Sequence, residues 1–424
     1  MSVKSFLLKS KNVERDSYLW NTMGGLLRGF RSVVFLMILN RTVGLVMAGI
    51  YTLANANSNL YLLLGNYNMR NFHVSDVKRE FTFRDYLSSR WVTIGAMGVV
   101  SLGHILISGY NYSYSMEKIQ ILVWMCLFKI PDALEDAFLG EFQRNGRMDI
   151  GAKIMTLRVM FTMMIFSVTV IISRKLLFSI VVSTIFTLLV LLLFLWCVKE
   201  ELPADMSCNS SADKILNLLR YCFPVFIAGF LSIYITNVPK YAIDATMTDE
   251  FQAYYGIISM PVLMIDMING FICGPAPYYL AQAWSDGNLK GFVKKASVLI
   301  AIVTGVAGVS VVGLYYIGIP VLTVMYGVDI SRYKVELLVL TVASGFAGVS
   351  NFMAIIVTIM RMQKKLIYIY GIVAITALLL SQGVVLHHQI MGAAVLITFL
   401  EILLCLFLAI VIICNLCKHE RIER

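Results

Sequence analysis

The stretch LLFSIVVSTIFTLLVLLLFLWCV, residues 176–198, decides the fold class. It carries no charge, and it is bounded by Arg174 and Lys175 on one side and by Lys199 on the other. A bilayer core about 30 Å thick requires roughly 20 apolar helical residues per crossing. The stretch therefore predicts a helix that spans a membrane.

The same measure, applied between the charged and Gly/Pro-rich segments of the chain, identifies further spans. The twelve predicted spans are Leu19 to Asn40, Val43 to Leu64, Trp91 to Tyr110, Ile119 to Leu139, Gly151 to Ser173, Leu176 to Val198, Ile215 to Thr236, Phe251 to Phe271, Ser297 to Ile319, Val335 to Met360, Leu366 to Leu386 and Ile390 to Cys414. Hydrophobic residues make up 59% of the chain and charged residues only 14%, which is too apolar for a soluble domain with a polar surface. We predict an all-α integral membrane protein.

Lys and Arg predict the orientation, because they accumulate in the short cytoplasmic loops of membrane proteins. If the amino end lies in the cytoplasm, the predicted cytoplasmic segments hold most of these residues. The opening from Met1 to Trp20 is polar and lacks the apolar core of a signal peptide. We expect both termini in the cytoplasm, and we assign the formal net charge of +10 to contact with anionic lipid headgroups rather than with nucleic acid.

The domain organisation follows from one polar segment near the midpoint. The segment KEELPADMSCNSSADK, Lys199 to Lys214, contains Pro203 and several Ser, Asn and acidic residues, as linkers do. Six predicted spans lie on each side of it. This predicts two six-helix lobes of equal orientation, residues 1–205 and 206–424, as in transporters built from parallel repeats.

Charged residues inside the spans indicate function, because a charge at bilayer depth costs at least ~2.5 kcal/mol and must face protein or water. Arg28 and Arg31 are three residues apart on one face of the first span. Arg158 lies inside the fifth span, where it either extends to the headgroups or points into the protein. Asp266 lies in the eighth span, where it either hydrogen-bonds another helix or titrates during transport.

The fourth span combines both signs of charge. Lys129, Asp132 and Asp136 follow i, i+3, i+7 spacing, Glu135 lies beside them, and Pro131 loosens the helix between them. These residues form either a neutralised pair that locks the helices together or a functional site. The three carboxylates and Asp266 are the candidates for coupling transport to Na⁺ or H⁺.

Signatures of covalent chemistry are lacking in the sequence. It contains no P-loop, no G-x-G-x-x-G motif and no nucleophile elbow. Cys414, Cys417 and His419 resemble half of a zinc site, but no second pair of ligands is suitably placed. The longest predicted outer loop, Pro320 to Lys334, is too short for a catalytic domain. We expect no catalytic residue, no metal and no cofactor.

Four stretches resemble a known family. They are DALEDAFLGEFQRNGRMDIGAKIMTLR (Asp132 to Arg158), GNYNMRNFHVSDVKREF (Gly65 to Phe81), YITNVPKYAID (Tyr234 to Asp244) and FQAYYGIISMP (Phe251 to Pro261). They are similar to bacterial polysaccharide flippases, which export lipid-linked oligosaccharide repeat units and share a superfamily with multidrug and toxin extrusion transporters and with flippases of peptidoglycan precursors. The resemblance implies two lobes in a V around a cationic central cavity. The chain lacks the two additional helices of the peptidoglycan-precursor branch.

The resemblance implies a polyprenyl-diphosphate-linked oligosaccharide as the substrate, a bacterial inner membrane location, and a polysaccharide polymerase with its chain-length machinery as partners. Arg28 and Arg31 are then the first candidates to bind the diphosphate, followed by Lys129 and Arg158, because guanidinium groups match phosphate oxygens with paired donors. The expected exit side of the cavity comprises Asn237, Lys240, Tyr241 and Asp244.

Two other functions compete with this one. A drug or cation exporter of the same superfamily would use an acidic, aromatic-lined cavity without accessible arginines. A membrane polysaccharide polymerase or ligase would need a substantial outer loop with Arg, His or Asp, which the sequence does not provide.

Overall fold

The computed structural model describes residues 3–76, 78–202, 210–274 and 276–423, with side chains described up to residue 417. Within these ranges all longer elements are α-helices, so the predicted all-α class is confirmed. The helices are α1 Val3–Leu8, α2 Val13–Thr42, α3 Leu45–Asn66, α4 Met69–Ser75, α5 Phe83–Asn111, α6 Met116–Leu127, α7 Ile130–Arg144, α8 Met148–Ser173, α9 Leu176–Cys197, α10 Ala212–Thr246, α11 Asp249–Ile258, α12 Met260–Cys273, α13 Ala276–Ser285, α14 Leu289–Tyr326, α15 Lys334–Ile359 and α16 Gln363–Glu423.

Each of the twelve predicted spans falls on one of these helices or on a consecutive pair. In the described part of the chain, nine helical stretches are long and apolar enough to cross a membrane. The longest, Gln363–Cys417, holds the last two predicted spans, and its helix is kinked at Gln389, where φ is +51°. The predicted break between Leu386 and Ile390 therefore lies at this kink. The chain is a multi-pass membrane protein.

Two predicted spans are broken in the middle. The fourth span consists of α6 and α7, which meet at Phe128 and Lys129, and Pro131 occupies the first turn of α7. The eighth span consists of α11 and α12, with Pro261 in the first turn of α12. Proline is tolerated in a first turn because the N–H it lacks would have no partner inside the helix. Both prolines thus lie where a new helix begins.

The chain divides into two compact units, Met1–Phe230 and Leu231–Arg424, called unit 1 and unit 2 below. The boundary predicted between residues 205 and 206 lies outside the described residues. In unit 1, α2 packs along α8, and a Cβ on Gly24 would lie 2.5 Å from the Met155 side chain and 2.6 Å from that of Thr156. Only glycine permits this close approach. It brings the arginines of α2 near α8.

In unit 2, α15 packs against α14 and α16. Its core combines α12, α13, α14 and α15, and includes the buried side chains of Leu280, Phe292, Val303 and Phe352. Gly348 of α15 lies against the side-chain amide of Asn269 on α12. This contact aligns the polar face of α12 with α15.

Candidate functional site

A cluster of charged side chains lies among α2, α7, α8 and the residue that precedes α7, all in unit 1. The buried charge cluster, as we call it, comprises Arg28, Arg31, Lys129, Asp132, Glu135 and Arg158. All six were predicted site residues. Its two carboxylates lie one turn apart on α7, and its cations reach them from the other elements.

Arg158 is the centre of the cluster. Its Nη2 donates to Asp132 Oδ1 at 2.6 Å and to Glu135 Oε2 at 2.7 Å, and its Nε donates to Glu135 Oε1 at 2.8 Å. Its Nη1 donates to Thr187 Oγ1 of α9 at 3.0 Å, and only 1% of the side chain is exposed. Arg158 therefore points into the protein, and the alternative of extension to the headgroups is wrong.

Arg28 and Arg31 reach the same carboxylates from α2. Arg28 Nη2 donates to Glu135 Oε2 at 2.7 Å, and Arg31 Nη2 donates to Asp132 Oδ2 at 2.9 Å. Each carboxylate thus binds Arg158 and one arginine of α2. Asp132 and Glu135 are both held in ion pairs, so they are poorly suited to bind and release a coupling ion.

The cluster keeps an excess of positive charge. Lys129 is 2% exposed and lies close enough to Arg31 and Asp132 for their charges to act on it. The three arginines and two carboxylates leave at least one formal positive charge. Arg28 Nε and Arg31 Nη1 are buried, and neither has a hydrogen-bond partner among the described residues. Because unpaired buried donors are costly, these groups favour an anion as their partner.

Asp136 lies outside this cluster, although it follows Glu135 directly. One residue turns an α-helix by about 100°, and this places Asp136 toward α5 and α4. Arg90 Nη2 donates to its Oδ2 at 2.9 Å, and Arg70 Nη1 lies 3.9 Å from its Oδ1. Arg90 also donates to the carbonyl of Gly65 at 2.8 Å and is 1% exposed. The predicted coupling residue Asp136 is thus paired with two arginines that lie between the second and third predicted spans.

Four predicted site residues of unit 2, Asn237, Lys240, Tyr241 and Asp244, lie along α10. Lys240 Nζ donates to Asn237 Oδ1 at 3.0 Å, and the ring of Tyr241 stacks on Tyr234 with 6.0 Å between the centroids. Asp244 follows one turn after Lys240. These side chains form a polar strip on one helix, with Lys240 bound to a neutral amide.

A pair of carboxylates in unit 2 includes one that sequence reasoning missed. Glu401 of α16 is 4% exposed, accepts a hydrogen bond from Ser350 Oγ at 2.8 Å, and lies near enough to the predicted residue Asp266 for their charges to interact. Asp266 Oδ1 and both amide atoms of Asn269 are buried without a hydrogen-bond partner in the described part of the chain. Glu401 is the single charge within its predicted span, which is the signal that would have identified it.

Solved structures provide the comparison. An inward-facing multidrug resistance MATE family transporter of the MOP superfamily matches 93% of this chain and 95% of its own, with 13% identity and a TM-score of 0.66. The lipid II flippase MurJ in an inward closed conformation matches 96% of this chain and 89% of its own, with 14% identity and a TM-score of 0.72. The chain has the MATE and MurJ fold.

A third structure with this fold is a MOP superfamily transporter from Pyrococcus furiosus, which matches 100% of this chain and 99% of its own at 13% identity and a TM-score of 0.58. No protein-family model and no curated protein matches the chain. At these identities the likeness is one of fold. The buried charge cluster of unit 1 and the carboxylate pair of unit 2 are observed in the structure of this chain and are not inferred from these proteins.

The short helix α4 is fastened to α7 by a buried histidine. His73 Nε2 lies 2.8 Å from Glu141 Oε2, and its imidazole fills the space that a side chain on Gly140 would occupy. Glu141 also accepts from Arg144 Nη2 at 2.6 Å, and His73 stacks on Tyr86 with 3.8 Å between the centroids. Burial lowers the pKa of His73, against the opposing hydrogen bond to Glu141. The histidine is therefore neutral in the folded protein at neutral pH.

The buried contact between His73 and Glu141 predicts that the folded protein loses stability on acidification. The pKa of His73 is lower in the folded state than its unfolded value of about 6.5, so the unfolded chain binds more protons as the pH falls through that value. The stabilisation is complete above about pH 6.5 and decreases below it. Thermal unfolding of the detergent-solubilised protein between about pH 8 and pH 5.5 should show a falling Tm.

His73→Gln is the control, because glutamine can donate to Glu141 but does not titrate. The decrease of Tm over this pH range should be smaller in the variant. The pKa of Glu141 is also lowered, because its hydrogen bond from His73 and the charge of Arg144 outweigh burial, but its contribution is lost only near the more acidic carboxyl range. An equal decrease in both proteins would contradict the assignment to His73.

Proposed function

We propose that the protein is a flippase that moves polyprenyl-diphosphate-linked oligosaccharide from the cytoplasmic to the outer leaflet of a bacterial inner membrane by alternating access. The observation that carries the proposal is the excess of positive charge in the buried charge cluster, where three arginines face two carboxylates and Arg28 and Arg31 keep unpaired guanidinium N–H groups. The apolar polyprenyl tail is soluble in the bilayer, whereas the charged diphosphate and sugar head cannot cross hydrocarbon unaided. The protein supplies a path for the head.

The cationic side chains of the cluster differ in how much of each is exposed. Arg31, Lys129 and Arg158 are almost fully buried, whereas 34% of the Arg28 side chain is exposed. Arg28 makes the first contact with the diphosphate, and the buried cations supply the surrounding positive field. Asp132 and Glu135 hold the arginines in place when no anion is bound.

The fold supports this proposal, since a lipid II flippase is among the solved structures that match the chain. In unit 2, Asn237, Lys240, Tyr241 and Asp244 line the path taken by the sugars. Asp266 together with Glu401 binds the coupling ion, Na⁺ or H⁺. Both termini lie in the cytoplasm, and the product feeds a polysaccharide polymerase and its chain-length machinery in capsule, O-antigen or exopolysaccharide assembly.

A cation exporter is the second candidate, and the observation that favours it is the carboxylate pair of unit 2, in which Glu401 is buried and Asp266 is partly buried. Such an exporter was expected to lack accessible arginines. The partial exposure of Arg28 favours the flippase.

The test is translocation of a fluorescently labelled undecaprenyl-diphosphate oligosaccharide in proteoliposomes. Arg28→Ala should reduce the rate at subsaturating substrate about tenfold or more, because a hydrogen bond to a charged group contributes ~1.5–3 kcal/mol. Arg15→Ala is the matched control, since Arg15 is a 64% exposed cation of the same helix and is paired with Asp16. It should transport at the wild-type rate.

Equal rates in wild type and Arg28→Ala would remove Arg28 as a diphosphate ligand. If wild-type protein transports none of several labelled sugar heads but moves organic cations, the exporter is the correct function.

A further inference from the structure

Arg70 of α4 lies beside the buried charge cluster but was not among the predicted site residues. Its pKa is lowered by burial and by the charge of Arg28, while Asp136 and Glu135 oppose this shift. Arg70 Nη1 lies 3.9 Å from Asp136 Oδ1, and the preceding residue, Glu135, accepts a hydrogen bond from Arg28 at 2.7 Å. About 27% of the Arg70 side chain is exposed. Arg70 and Arg28 are thus two partly accessible arginines at neighbouring positions.

The charge of Arg70 is only partly neutralised. Its Nε and Nη2 both donate to Gln143 Oε1, at 3.3 and 2.9 Å, and this acceptor is neutral. The nearest carboxylate, Asp136, lies 3.9 Å from Nη1 and is already bound at 2.9 Å by the buried Arg90. One carboxylate and two arginines leave one further positive charge beside the cluster.

The backbone fixes Arg70 at this position. Tyr67 and Asn68 both adopt φ of +49°, which ends α3 and starts α4 in a new direction. The two turns of α4 hold Arg70 and His73 beside α7, where His73 Nε2 contacts Glu141. Holding Arg70 near Arg28 brings like charges together, and the carboxylates beside them, Glu135 and Asp136, are already bound by Arg158 and Arg90.

We propose that Arg70 is a second anion-binding residue, which contacts the diphosphate head at the cytoplasmic end of unit 1 and shares it with Arg28. The inference rests on the proposed flippase function. Two guanidinium groups from separate helices match the two phosphates of the head, so Arg70 favours a diphosphate over a monophosphate. The alternative is that Arg70 only fastens α4 to Gln143.

The experiment measures binding of undecaprenyl diphosphate and undecaprenyl monophosphate to the full-length protein in nanodiscs. Arg70→Gln removes the charge and keeps a hydrogen-bonding side chain. It should weaken binding of the diphosphate about tenfold and change binding of the monophosphate much less, so the ratio of the two affinities falls. Arg70→Lys should retain part of the ratio.

Two control variants separate binding from fastening. Gln143→Ala removes the neutral partner of Arg70, and Arg79→Ala removes an exposed arginine of the same connection that donates to Asn145. Both should keep the wild-type ratio. A wild-type ratio in Arg70→Gln, or an equal fall in Gln143→Ala, overturns the proposal.

The binding measurements distinguish an incorrect role for Arg70 from an incorrect flippase function. If Arg28→Ala weakens diphosphate binding and Arg70→Gln does not, only the role of Arg70 is wrong. If wild-type protein binds neither lipid, the flippase function itself fails.

Discussion

Arg158→Ala is expected to lower the free energy of unfolding by about 3–5 kcal/mol, the cost of removing one partner from a buried ion pair. The substitution removes the two hydrogen bonds to Glu135 and the one to Asp132, and leaves the carboxylates at bilayer depth. The arginines of α2 would then be their only described partners in ion pairs. The effect is measured as the loss of thermal and denaturant stability of the purified protein in one detergent.

The controls isolate the charge effect. Thr187→Val removes one neutral acceptor of Arg158 and should cost much less, about 1 kcal/mol. The triple variant Arg158→Met with Asp132→Asn and Glu135→Gln removes the opposed charges together, so it should be more stable than Arg158→Ala alone. Wild-type stability of Arg158→Ala would show that these ion pairs do not hold α7 against α8.

Asp266→Asn and Glu401→Gln are each expected to abolish the dependence of transport on an imposed ion gradient. Both carboxylates lie in unit 2, where the charge of Asp266 acts on Glu401 and Glu401 accepts a hydrogen bond from the neutral donor Ser350. Two carboxylates in a membrane need a cation or a proton to be held together. Removing either charge removes that requirement, so transport should continue without responding to Na⁺ or pH gradients.

The measurement is the initial rate of translocation in proteoliposomes with opposed Na⁺ or H⁺ gradients. Asp329→Asn is the control, because this carboxylate is exposed and accepts hydrogen bonds from the backbone N–H and the Oγ of Ser331. Gradient dependence that persists in both Asp266→Asn and Glu401→Gln would place the coupling site elsewhere.

Each predicted span coincides with helix because the bilayer imposes a length that the chain must match. In the described residues, the helices of the second and fourth predicted spans are not among the nine stretches that are long and apolar enough to cross a membrane. The sequence predicted a loosened helix at Pro131 but not that a new helix begins there or at Pro261, since proline marks a helix start as readily as a kink. Arg90 illustrates a second limit. Its position next to a hydrophobic span indicated a loop charge, yet it is buried against Asp136.

The candidate site could be predicted in composition but not in pairing. The residue types of the buried charge cluster were evident because charges are rare in apolar spans. Which carboxylate each arginine binds depends on helix rotation and on contacts between spans far apart in sequence. Glu401 differs, because a lone charge in an apolar span was enough to mark it as a candidate site residue. Its hydrogen-bond donor, Ser350, lies in a different helix.

The pairing of α2 with α7 has a consequence for biogenesis. Arg28 and Glu135 are 107 residues apart, and Arg31 and Asp132 are 101 apart, so the ribosome completes α2 long before the carboxylates that neutralise it exist. An arginine pair at that depth is unfavourable in lipid. The first span is therefore expected to stay beside the insertion machinery until α7 emerges, which makes folding of unit 1 wait for its own fourth span.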